Sequence, residues 1–122
     1  MNLSPLKLLA ITGVALVAGL VWNKKREMER ADPRRQTGES GIVMLGAEWC
    51  GYCQRLKAAL DAAKVSYTEL DVEDGGQGHD AFVALGGRGV PVTVIGQDVV
   101  YGYDTGRLGT LLSERGHTVV LQ

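Results

Sequence analysis

Two cysteines, Cys50 and Cys53, stand three residues apart in Trp49-Cys50-Gly51-Tyr52-Cys53, between a buried apolar run and the start of a helical pattern. Two thiols at i and i+3 on the opening turn of a helix lie on one side of it, close enough to form a disulfide. They are not equivalent. Cys50 faces the unsatisfied amides and the positive end of the helix dipole, which favour thiolate over thiol. The spacing therefore predicts Cys50 as a nucleophile ionising below the free value of ~8.5. Cys53, one turn in, is expected to be shielded and to react second. The chemistry implied is thiol–disulfide exchange.

Other uses of the pair are weighed on the same residues. A zinc site needs further ligands, and His79 and His117 lie far from Cys53 and from each other in sequence. Haem attachment requires histidine after the second cysteine, where Gln54 stands. A structural disulfide fits only an exported domain. Redox chemistry is the reading the context favours, and no metal is expected.

Elements must position that pair. Residues 42–45 are a continuous apolar run, read as a strand buried on both faces. Leu56, Ala59, Leu60 and Ala63 recur at helical spacing across residues 53–64. Residues 65–72 alternate as a half-buried strand with one phase slip, and residues 79–85 suggest a short helix with Phe82 and Leu85 inward. Residues 91–95 and 99–101 flank a turn at Gly96-Gln97-Asp98 and read as a hairpin. Asp104 or Thr105 caps a last helix through Arg115, with Leu108, Leu111 and Leu112 inward and Gly116 at its end. The tail 117–122 is strand-like without an evident partner. The order implies an α/β domain with a small four-stranded mixed sheet and three helices.

The chain of 122 residues is asymmetric in charge. Its first forty residues carry +3 and the remainder −4. An acidic folded part argues against nucleic-acid partners. Residues 3–22 form an apolar run interrupted only by Lys7, just long enough to span a bilayer, with Trp22 as an interfacial aromatic. Lys24, Lys25, Arg26, Arg30, Arg34 and Arg35 come after it, so the positive-inside rule puts the carboxyl-terminal domain on the cytoplasmic side of a single-pass membrane protein. A cleaved signal peptide is the competing reading, opposed by a poor small-residue cleavage site and by the downstream basic cluster. The expected organisation is an anchor at 1–23, a charged juxtamembrane linker at 24–40 and the folded domain at 41–122. Pro33 should end a helix leaving the membrane, with a flexible tether after it.

From about residue 42 to 115 the domain resembles the glutaredoxin family of the thioredoxin fold. Cys50-Gly51-Tyr52-Cys53 is similar to the family's active site, with a basic pair just beyond it at Arg55 and Lys57. Val90-Pro91 corresponds to its valine–cis-proline, and Gly102-Tyr103-Asp104 to the segment that holds the γ-glutamyl end of glutathione. The resemblance implies a dithiol oxidoreductase acting on protein disulfides or glutathione mixed disulfides, with glutathione as co-substrate. It implies Tyr52, Val90, Pro91, Gly102, Tyr103 and Asp104 as the substrate and glutathione contacts. The chain departs from the family's pattern in three places. Glu48-Trp49 replaces an upstream lysine, Tyr101 replaces the first glycine of a Gly-Gly pair, and Gly51 replaces the usual proline. Arg88 is a candidate for the missing cation. Members lacking that proline can carry an iron–sulfur cluster between two subunits, which makes cluster carriage an alternative function. A reductant fed by a thioredoxin reductase is another.

Overall fold

The computed structural model describes residues 2–122. Strands β1 (Ile42–Gly46), β2 (Thr68–Asp71), β3 (Val92–Ile95) and β4 (Asp98–Tyr101) form one sheet in the order β2-β1-β3-β4. β1 pairs parallel with β2 and antiparallel with β3, and β3 pairs antiparallel with β4. The sheet is mixed and four-stranded, as expected from the sequence.

Alternation along β1 divides the core into two layers. Ile42 and Met44 face a cluster containing Leu56 and Leu60 of α3 (Gly51–Ala62) and Leu108, Leu111 and Leu112 of α5 (Thr105–Glu114). Val43 and Leu45 face the other side, with Val92 and Val94 of β3 and with Ala81 and Leu85 from α4 (Gln77–Ala84) and its carboxyl-terminal cap. Helices thus cover both faces, which is why β1 has no polar position. The three helices of the domain are those the apolar spacing predicts.

Four departures from the sequence reading have physical causes. The half-buried strand is shorter than 65–72, because Lys64 takes a positive φ and the Val65 amide returns to the Leu60 carbonyl. That closure of α3 turns Val65 into the core before β2 begins. The amino-terminal helix α1 (Pro5–Ala31) does end before Pro33, as predicted, but the segment after it is no flexible tether. Residues 34–37 form an additional short helix, α2 (Arg34–Thr37), and this stretch lies against the hairpin. The Thr37 hydroxyl donates to the Gly96 carbonyl, and the Gln97 amide donates to the carbonyls of Arg34 (2.9 Å) and Gly38 (2.7 Å). Arg115 completes this contact by donating to the carbonyls of Glu39 and Ile95. Lastly, the tail 117–122 joins no ladder; Val119 and Leu121 pack against the α3–α5 layer.

α1 is long and apolar enough to cross a membrane, with mean hydropathy 1.9 over its most apolar window, and none of that window is buried in the protein. Its last turns pack on α4.

Candidate active site

β1 delivers the chain to the reactive pair. Its last residue is Gly46, where a Cβ would sit 3.2 Å from the Cys53 sulfur. Gly46 is thus a site residue missed by the sequence reading, though a glycine ending an apolar strand beside a CxxC is the signal that points to it.

After Ala47 the chain turns, with the Cys50 amide donating to the Ala47 carbonyl at 3.1 Å. Cys50 is the N-cap of α3, and its sulfur accepts the Cys53 amide at 3.1 Å. The Cys50 carbonyl accepts from Gln54 and starts the helix ladder. The two sulfurs are joined in a disulfide. Cys50 keeps 5% of its surface exposed and Cys53 only 1%, the asymmetry expected of an outer and an inner thiol.

The other expected site residues fall into two groups, each with contacts of its own. Tyr52 and Tyr103 stack with ring centroids 5.3 Å apart, and the Arg55 guanidinium lies 5.5 Å from the Tyr52 ring. The Tyr103 hydroxyl donates to the Gln122 carbonyl, which draws the tail alongside. In the second group, the Val90–Pro91 peptide is cis, and the Pro91 carbonyl accepts the Gly102 amide at 2.8 Å. Gly102 has φ +78°, a conformation that suits glycine. Val90 and Tyr103 both pack against the cluster that contains the two cysteines. Asp104 stands apart in role: one carboxylate oxygen accepts the Arg107 amide at 3.0 Å and caps α5.

Arg88 lies with Gly86, Gly89, Val90, Tyr101 and Gly102 along a groove beside the cis peptide. Glu48 is exposed, whereas the Trp49 indole N–H donates to Glu73 at 2.7 Å and ties the loop before Cys50 to the loop after β2. A titration effect falls on Tyr67, which packs against the same core cluster as the cysteines. Burial, then a hydrogen bond to Asp61, pushes the Tyr67 phenol up to about 12. Among the described residues, no three His, Cys, Asp or Glu side chains converge as a metal site.

Comparison with known proteins agrees with this geometry. A family model described as Glutaredoxin matches residues 42–100. Over 34 residues the chain is 44% identical to a Mycobacterium tuberculosis protein named for that family. The matched stretch is 28% of this chain and 40% of the relative, so the chain spans less than half the length of the curated relatives it matches. Among solved structures, the buckwheat glutaredoxin–glutathione complex is similar over 77% of this chain and 94% of its own, with 26% identity and a TM-score of 0.58. A thioredoxin-like protein is similar over 58% of this chain and 99% of its own, with 26% identity and a TM-score of 0.55.

Proposed function

The chain belongs, through residues 42–100, to the glutaredoxin family, and from that premise we propose that it is a membrane-anchored thiol–disulfide oxidoreductase using Cys50 as nucleophile and Cys53 as resolver. The observation that carries the reading is the Cys50 sulfur at the N-cap of α3, accepting the Cys53 amide. In the reduced state that amide and the helix dipole stabilise a thiolate there.

The Cys50 thiolate attacks one sulfur of a substrate disulfide, forms a mixed disulfide and expels the other sulfur as a thiolate. The Cys53 thiolate then attacks the Cys50 sulfur, releases the remaining substrate thiolate and leaves the Cys50–Cys53 disulfide. Two external thiols, supplied by glutathione, reduce that disulfide and become oxidised glutathione.

Substrate binding is assigned to the residues around the pair. β3 pairs with β4 only from Val92 onward, so the backbone groups of Val90 lie before the ladder and suit an extended substrate segment. Tyr52 and Tyr103 form an aromatic wall. Gly102 and Asp104 receive the γ-glutamyl end of glutathione, with Arg88 as the cation for a carboxylate. The bound glutathione of the similar buckwheat structure supports this assignment. The basic residues after Trp22 support a cytoplasmic domain, where glutathione is abundant.

The test is reduction of a glutathione mixed disulfide. Cys50→Ser should abolish turnover, and Cys53→Ser should accumulate protein joined to substrate through Cys50, seen by mass. Normal turnover by Cys50→Ser overturns the assignment. Reduction of the oxidised protein by a thioredoxin reductase but not by glutathione would replace the electron donor.

A further inference from the structure

If α1 spans the bilayer, its packing on the domain also sets the height of the active site above it. α1 is one unbroken helix from Pro5 to Ala31, so its apolar half and its docked end share one axis. Its last turn, at Arg30 and Ala31, borders a cleft with Gln77 and Ala81 of α4. A neighbouring cleft runs along α1 from Ala31 back to Lys24 and is bordered on the α4 side by His79, Asp80 and Val83. The start of α4 thus lies by the last turn of α1, and Val83, near the other end of α4, lines a cleft that reaches back to Lys24, two residues past Trp22.

Directly beyond α4 lies the substrate groove itself. The Leu85 carbonyl, at the carboxyl-terminal cap, accepts the Tyr101 hydroxyl at 2.6 Å. Tyr101 lines the groove with Gly86, Arg88, Gly89, Val90 and Gly102. Helical rise puts Lys24 about 3 Å beyond Trp22, so a groove that follows the end of α4 lies close to the headgroups when residues 3–22 span the bilayer. The docking of residues 34–41 on the hairpin and on Arg115 keeps the domain from swinging away.

We propose that the substrates of this site are disulfides held close to the bilayer surface, in the juxtamembrane segments of other membrane proteins. The inference rests on the reading of α1 as an anchor and Cys50 as the nucleophile. The rigid connection concentrates the groove in a thin layer beside the membrane and withholds it from disulfides farther out, an effective-concentration effect with a geometric cutoff.

The full chain in lipid vesicles, with glutathione as reductant, tests this against three disulfides. One is carried by a single-span peptide next to the headgroups. A second is carried by the same span beyond a helical spacer of about 20 residues, roughly 30 Å long. The third is a soluble glutathione mixed disulfide. The near disulfide should be reduced at least about tenfold faster than the far one. A flexible Gly/Ser insert of about 12 residues after Asn23, with a mean span of roughly 20 Å, should largely remove that difference. It leaves the α1–α4 packing in place. Equal rates for near and far in the parent chain overturn the proposal, as does reduction of the soluble disulfide with neither anchored one reduced. Failure on all three overturns the oxidoreductase reading instead.

Discussion

Cys50 and Cys53 share one turn of helix, yet only Cys50 stands at its N-cap. In the reduced protein Cys50 should ionise at lower pH than Cys53, because it alone caps the helix; thiolate absorbance of the two single-serine variants measures this directly. Asp104 caps α5 and is proposed to hold glutathione as well, two duties that substitution can separate. Asp104→Asn keeps an oxygen for the Arg107 amide and should preserve stability while raising KM for a glutathione mixed disulfide. Asp104→Ala should raise KM too and in addition cost about 1 kcal/mol of stability through the lost cap. Tyr67 gives a spectroscopic marker. Its folded-state value is raised to about 12, so its contribution to stability is complete below the unfolded value near 10 and is lost as pH climbs from there through 12. Ultraviolet titration should show one of the four tyrosines ionising last, and Tyr67→Phe should remove it. The cysteine pair and the cis bond at Val90–Pro91 were legible from motif alone. Gly46 showed in the sequence only as a glycine ending an apolar strand, because what its missing side chain would have struck is a tertiary contact.

At the scale of elements, apolar periodicity located every strand and helix of the domain, since burial on two sides of β1 leaves little latitude. Its limits are equally physical. Residues 34–41 are held by side chains reaching backbone carbonyls across 59 and 76 positions of sequence, and such contacts leave no period to read. Asp32 belongs to the same junction. Its hydrogen bond from Arg34 holds its carboxyl below the usual range, so that bond contributes above about pH 4 and fades in stronger acid. Within the sheet, Thr93 is buried at 1% exposure and its hydroxyl has no partner among the described residues. Thr93→Val should therefore leave stability unchanged or raise it by about 1 kcal/mol, measured by denaturant midpoint. Leu60→Ala, at the centre of the α3 face, should instead cost about 2–5 kcal/mol.

For the molecule as a whole, the division between a basic amino-terminal part and an acidic domain sets the orientation expected in a membrane. A thiol reagent that cannot cross membranes should leave the reduced cysteines untouched in intact cells and label Cys50 once the cells are opened; labelling in intact cells would put the domain outside. The junction between anchor and hairpin has a mechanical consequence as well. A force drawing the anchor away from the domain reaches the β3–β4 turn through Thr37, Gln97 and Arg115 before it reaches the sheet. These side-chain bonds break in small groups, whereas the ladder of β1 must shear together. Under tension in a single-molecule trap, once α1 has parted from α4, the stretch from Asp32 to Gly41 should peel off before the sheet and extend to at most roughly 30 Å. The sulfur pair, at the opposite end of β1, would still be folded when it does.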